Sequence, residues 1–133
     1  MTPRSILIVD DEANQRLMVE QALRALAFDC MISTAASGQE ALESLALHLP
    51  DLIITDYHMP NMNGLDLIAQ VRERHIPSRI ILITAYSSPE LYDAAQRLQV
   101  DHYLTKPVPL TLLRRIATGT LDATLASMTG NDR

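Results

Sequence analysis

Apolar residues fall along this chain in two alternating rhythms. Short aliphatic runs, such as Ile6-Leu7-Ile8-Val9 and Leu52-Ile53-Ile54, take turns with longer stretches in which apolar residues recur every three or four positions. The short runs predict β-strands over 5–9, 30–34, 52–55, 79–83 and 101–104. The third and fourth are nearly all apolar, as strands covered on both faces are. Between them, Met18/Val19, Ala22/Leu23 and Leu26 form one stripe and Ala41/Leu42, Leu45 and Leu49 another, each predicting a helix with one face inward. Ser37 and Glu40 have the spacing of a capping box. Ser88-Pro89 reads as an N-cap followed by proline at the first helical position, and Pro109 opens the final helix in the same way. Gly119 sits inside that last helical pattern, where it costs about 1 kcal/mol relative to alanine and predicts a kink or fraying. The residues from Thr129 to Arg133 read as a loose tail.

Strands and helices alternating in units this short call for right-handed crossovers. The fold class expected is therefore α/β, a doubly wound five-stranded parallel sheet with helices on both faces. One domain over 1–127 accounts for the pattern, with 128–133 as a flexible tail or the start of a linker. In such sheets ligands bind beyond the carboxyl ends of the strands, so the chemistry belongs there.

Composition narrows the setting. The 133 residues are 47% hydrophobic, enough for one core. A single cysteine, Cys30, forms no internal disulfide, which fits a reducing, cytoplasmic compartment; Cys30 itself reads as plain core. No apolar run is long enough to span a membrane, so no membrane role is expected. The formal charge is -5, with Lys106 the one lysine, and a nucleic-acid backbone meets a mostly repulsive surface; no direct nucleic-acid binding by this chain is expected.

Polar and charged residues gather at the predicted strand ends. The first strand runs into Asp10-Asp11, the third into Asp56, the fourth into Thr84, and Lys106 lies just past the fifth. Taken singly, an aspartate after a strand is a turn-former and a lysine is solvated. Three carboxylates brought to one edge, however, repel one another unless a cation sits among them. Magnesium suits an all-oxygen donor set, with Mn2+ as the alternative ion. Zinc does not, since Cys30 is alone and His48, His58, His75 and His102 show no ligand spacing. Beside a magnesium ion, Asp56 is placed to attack phosphorus as a nucleophile. Thr84 would donate a hydroxyl hydrogen bond to a phosphoryl oxygen and Lys106 a point charge.

The stretches "ILIVDDE", "DLIITDYHMPNMNGLDL", "IILITAY" and "DHYLTKPV" stand in the order and at the spacing of response-regulator receiver domains of two-component signalling, and from Ile6 to about Leu125 the chain resembles that family. The resemblance implies a flavodoxin-like strand order of 2-1-3-4-5. It implies Asp56 as phosphoacceptor, Asp11 as a direct metal ligand, Asp10 as a water-mediated one and the backbone carbonyl of His58 as a further ligand. Thr84 and Tyr103 match the switch pair, Lys106 the phosphoryl-contacting lysine, and Lys106-Pro107 the cis peptide. By the same resemblance a sensor histidine kinase or histidine phosphotransfer protein donates the phosphoryl group. The resemblance likewise implies a phosphoacceptor regulatory domain and not an enzyme, with self-catalysed phosphorylation and slow autodephosphorylation. The signal passes to the face of the fourth helix, fifth strand and fifth helix, including Arg97, Asp101 and Arg114, where an effector domain or a second copy docks. The chain is then either a single-domain regulator or a piece of a larger regulator or hybrid kinase.

Two departures stand out. Gln99 occupies a position often held by glycine after the fourth helix, which puts the left-handed cap there in doubt. His58 and Tyr86, each two residues past a site residue, read either as surface side chains beside the site or as residues that tune the lifetime of the phosphorylated state. Two rival classes share parts of the pattern. A magnesium-dependent aspartyl-nucleophile phosphatase or phosphotransferase normally carries a second acid two residues after the nucleophile, where His58 stands. A flavodoxin-like nucleotide or flavin binder needs a Ser/Thr/Gly-rich cradle after the first strand, where this chain has "DDEAN".

Overall fold

The computed structural model describes residues 4–25 and 29–129. Five strands, β1 (Arg4–Val9), β2 (Cys30–Ala35), β3 (Leu52–Asp56), β4 (Arg79–Thr84) and β5 (His102–Thr105), form one parallel sheet in the order β2-β1-β3-β4-β5. Five helices link or follow them: α1 (Ala13–Leu23), α2 (Gly38–Leu47), α3 (Gly64–Glu73), α4 (Pro89–Arg97) and α5 (Leu110–Thr129). The order reverses between β1 and β3, which pair in register as Leu7 with Ile53 and Ile8 with Ile54. That reversal puts the ends of β1 and β3 at the crevice where such sheets bind ligands.

Side chains in a strand alternate between faces, so each central strand supplies two cores. Leu7, Val9, Ile53, Ile80 and Leu82 pack against Leu42 and Leu45 of α2, Leu67, Ile68 and Val71 of α3 and Ala95 of α4. Ile6, Ile8, Leu52, Ile54, Ile81 and Ile83 pack against Leu23 of α1 and Leu113, Ala117 and Leu121 of α5. The apolar runs read from the sequence are thus covered on both faces.

Helix starts follow local chemistry. Ser37 Oγ accepts from Glu40 N at 3.0 Å, but Glu40 reaches back to the amide of Ala36 rather than to Ser37, so the expected capping box is displaced by one residue. A complete box occurs instead at Asn63 and Asp66, each side chain accepting the other's amide. Ser88 caps α4 with Pro89 at its first turn, as expected. Pro109 lies one residue outside α5, its carbonyl accepting from Leu113 N. The helix is continuous through Gly119 to Thr129, and residues 130–133 of the tail lie outside the described residues.

Some expected inward positions face solvent. Leu49 lies beyond the end of α2 and is exposed, and Met18 on α1 is 52% exposed; Leu26 lies outside the described residues. Among α1 side chains only those of Ala22 and Leu23 are buried. Cys30 is half-buried on the edge strand, packed against the α1/α5 core, and burial pushes its thiol above the ordinary range.

The C-termini of α3 and α4 end without glycine. His75 and Gln99 take positive φ values of 59° and 60°, in the left-handed region. In each case the next amide bonds back five residues, Ile76 N to Val71 O and Val100 N to Ala95 O, and the left-handed residue bonds back three. Both are Schellman turns with a buried apolar residue at the closing position. The cap in doubt at Gln99 is therefore present. One side chain joins the two turns: the Arg72 guanidinium donates to the carbonyls of Ile76, Ser78, Leu98 and Gln99 at 3.0–3.1 Å. A favourable charge-assisted set offsets the left-handed cost of a side-chain-bearing residue, about 1–2 kcal/mol.

Candidate functional site

Carboxylates stand at both ends of the sheet and are treated oppositely. At the amino end, Asp51 accepts the Ser5 amide at 2.9 Å and Asp101 the Ile80 amide at 2.8 Å, each satisfying the first amides of a neighbouring strand. At the carboxyl end, Asp10, Asp11 and Asp56 turn toward one another, with one oxygen from each lying within 4.8 Å of the others. Asp10 and Asp56 are buried; Asp11 is exposed. Asp10 Oδ1 accepts the Glu12 amide at 2.9 Å, and its backbone carbonyl accepts from Arg16. Burial pushes the Asp10 carboxyl above its ordinary range, the Glu12 amide counters this, and the charge of Asp56 adds to it.

Lys106 comes from just past β5 with its ammonium 2.8 Å from Asp56 Oδ1 and 3.0 Å from Gln15 Oε1. Asp56 Oδ1 is buried with that ammonium as its ion-pair partner and no hydrogen bond. One ammonium does not neutralise three carboxylates brought this close. Three carboxylates sharing one lysine therefore fit a hard divalent cation with oxygen ligands. The Lys106-Pro107 peptide is cis, as the family pattern implies.

The remaining expected residues lie on β4 and β5 and in the loops after β3 and β4. Thr84 is fully buried, and its hydroxyl donates to Tyr86 O and accepts from Tyr86 N, both at 3.1 Å. Tyr86 is 74% exposed and meets the exposed His58 imidazole edge-on at 5.4 Å. Tyr103 is half-buried, its hydroxyl 2.8 Å from Ser87 Oγ and its ring edge-on to Tyr92 at 5.3 Å. The short loop 85–88 thus touches both expected switch residues, Thr84 through Tyr86 and Tyr103 through Ser87. Gly64 lets the β3–α3 loop close on the site: a Cβ there would lie 2.6 Å from Asp56 O and 3.0 Å from Tyr57 Cα.

The structure thus brings together Asp10, Asp11, Asp56 and Lys106, with Thr84, Tyr86 and His58 alongside. It does not place all of the expected output residues on one free surface. Asp101 is committed to the Ile80 amide and to Arg79, and Arg114 Nε donates to Ala22 O at the end of α1; Arg97 is exposed on α4. These carboxylate and guanidinium groups complete backbone groups that the sequence does not reveal as incomplete. Gln15, Arg16 and Ser87 are further contributors missed in the sequence. Gln15 and Arg16 fall on the first turn of α1, immediately after Asp10-Asp11, which is the one signal that pointed to them.

Comparison with known proteins bears on the family and the fold. Residues 6–118 match the family model described as response regulator receiver domain. The chain is 35% identical over 109 residues to the transcriptional regulatory protein PdtaR of Mycobacterium tuberculosis, covering 82% of this chain and 52% of that protein. It is 35% identical over 102 residues to the DNA-binding transcriptional regulator NtrC of Escherichia coli, covering 77% of this chain and 21% of NtrC. The chain therefore spans about half the length of the first relative and about a fifth of the second. Among solved structures, the signal receiver domain of the response regulator NarL from Mycobacterium tuberculosis superposes with a TM-score of 0.81 at 28% identity, covering 90% of this chain and 96% of that one. On a match that runs from β1 into α5 and takes in every strand end described above, this chain belongs to the response regulator receiver domain family.

Proposed function

We propose that Asp56 is the phosphoacceptor of a two-component switch. The observation that carries this is the buried Asp56 carboxylate, set between Asp10, Asp11 and a Lys106 ammonium 2.8 Å from its Oδ1. An Asp56 oxygen attacks the phosphorus of a phosphohistidine on a sensor histidine kinase or phosphotransfer protein; the P–N bond breaks as the acyl P–O bond forms. Asp10, Asp11, Asp56 and the His58 backbone carbonyl would hold Mg2+, or Mn2+ in its place. When bound, the ion neutralises the carboxylates and the transferring oxygens. Lys106 supplies a fixed positive charge on the other side, and a water later returns the carboxylate and inorganic phosphate.

The relay rests on Thr84. Its hydroxyl proton now goes to Tyr86 O, so donation to a phosphoryl oxygen requires release of that carbonyl. Release moves loop 85–88, and with it Ser87, which holds the Tyr103 hydroxyl. The ring of Tyr103 then turns inward and the surface formed by α4, β5 and α5 changes shape for an effector domain or a second copy. Among the described residues no helix is long and apolar enough to cross a membrane, and the net charge is -5. Both accord with a cytoplasmic signalling role without direct nucleic-acid contact by this chain.

Incubation with acetyl phosphate and Mg2+ should add one phosphoryl group by intact mass, with none on Asp56→Asn or in excess chelator. Uptake by Asp56→Asn would overturn the assignment. Turnover of a generic phosphate ester over many cycles would instead favour a phosphatase.

A further inference from the structure

Lys106 has a second partner that the sequence does not reveal. Its ammonium lies 2.8 Å from Asp56 Oδ1 as an ion pair and donates a hydrogen bond to Gln15 Oε1 at 3.0 Å. Gln15 belongs to the first turn of α1, 91 residues back along the chain. That turn stands off from α5 across a cleft of about 520 Å3, and Asp10, Gln15, Asp56 and Lys106 form the polar end of the cleft.

A lysine gains more from such a partner than an arginine would. Its charge is a point on a flexible stem, and Coulomb attraction to one carboxylate fixes a distance but not a direction. The Lys106 side chain is also 30% exposed, so water competes for its N–H groups. The hydrogen bond to Gln15 supplies a second fixed point, from a different element. Its base is firm: the Glu12 amide donates to Asp10 Oδ1 at 2.9 Å and the Arg16 guanidinium to the Asp10 carbonyl at 2.6 Å. The start of α1 is thereby tied to the end of β1 on both sides of Gln15.

The kind of acceptor matters as well. An amide oxygen takes one N–H and leaves the ammonium its full charge, whereas a carboxylate at this place would compete with Asp56 for it. Phosphoryl transfer depends on positioning and charge, so an ammonium already held at the acceptor is worth more than one gathered from solvent during the reaction.

We propose that Gln15 is a positioning residue for phosphoryl acceptance, its side-chain oxygen holding the Lys106 ammonium beside Asp56 so that the charge stands ready for the incoming phosphoryl oxygens. The effect on transfer rests on the phosphoacceptor reading; the held lysine does not.

Lys106 is the one lysine of the chain, so protein grown with lysine carrying 13C at Cε shows a single methylene group by NMR. A held ammonium makes its two Hε protons inequivalent, and a free one averages them. Separate Hε resonances are expected in the wild type and in Gln15→Glu, which keeps an oxygen in place. An averaged resonance is expected in Gln15→Met, which keeps the length and helix propensity but loses the acceptor. Phosphoryl uptake from acetyl phosphate in excess MgCl2, followed by intact mass, should slow about tenfold in Gln15→Met, the scale of loosening one positioned charge. Because Gln15 acts through the lysine, Gln15→Met should cost nothing further in a Lys106→Met background. Separate Hε resonances persisting in Gln15→Met, an unchanged rate, slowing that more MgCl2 abolishes, or an equal loss in the Lys106→Met background would each overturn the proposal. If the wild type takes up no phosphoryl group, the phosphoacceptor assignment fails, and the Hε resonances, recorded without phosphate, still decide whether Gln15 holds the lysine.

Discussion

Replacing Asp10 by asparagine should raise the melting temperature of the protein in EDTA by about 4–7 °C. The side-chain oxygen that accepts the Glu12 amide at 2.9 Å is retained, so the turn into α1 keeps its hydrogen bond and only the charge is lost. The carboxylate oxygens lie within 4.8 Å of one another, and two unit charges at that separation repel by about 3.5 kcal/mol at an effective dielectric of 20. Asp10 faces two such carboxylates and one ammonium, which leaves about one pair of repulsion before screening. Solvent around the exposed Asp11 screens it to about 1–2 kcal/mol, or roughly 4–7 °C for a chain of this length. The pH dependence follows from the direction of the shift. Burial raises the folded-state Asp10 carboxyl above its ordinary 3.8, so the charged form destabilises the folded state. That penalty is full above the raised folded value, shrinks as pH falls between the two values, and is gone below about 3.8. The advantage of Asp10→Asn should therefore vanish in acid. Added Mg2+ should close the gap from the other side by stabilising the wild type more than the variant. Thermal melts of both proteins from pH 3 to 8, with EDTA or MgCl2, measure all three trends. An Asp10→Asn protein in EDTA at neutral pH that melts at or below the wild-type temperature would refute the premise that these carboxylates are in conflict.

Gln99→Gly should stabilise the fold by about 1 kcal/mol in urea titrations, since glycine adopts the φ of 60° without the side-chain clash. Arg72→Ala should lose about 3 kcal/mol by the same measurement, because four carbonyls lose a charged donor. Gly64→Ala should lower both stability, by about 2–3 kcal/mol, and phosphoryl uptake from acetyl phosphate, as the added methyl pushes on Asp56 O and Tyr57. Tyr86→Ala should shorten the lifetime of phosphorylated Asp56 about tenfold, which takes ~1.4 kcal/mol of barrier, by opening the approach of a water; equal decay rates for wild type and Tyr86→Ala would leave this ring outside the chemistry.

The acidic cluster was legible in the sequence because a parallel sheet aligns strand ends: Asp10, Asp11 and Asp56 each follow an apolar run, and Lys106 follows the short fifth strand. The two-sided core was legible for the same reason. What resisted reading were groups whose role depends on partners far along the chain. Arg114 and Asp101 look like free surface charge until Ala22 O and Ile80 N are brought to them. Met18 and Leu49 continue an apolar stripe, yet the end of α2 and the stand-off of α1 leave them in solvent. The displaced cap at Ser37 turns on which amide, Ala36 or Ser37, Glu40 reaches, a choice of one residue that spacing does not contain.

The Arg72 bridge between the ends of α3 and α4 carries a consequence for how this sequence can change over time. One guanidinium supports two turns that lack glycine, so substitutions at 72 and 99 are epistatic, and the order in which they arise matters. A lineage that first acquires glycine at 99 makes one turn self-supporting and can then lose Arg72 at reduced cost. A lineage that loses Arg72 first must cross a valley of about 3 kcal/mol, a large part of the stability of a domain of this size.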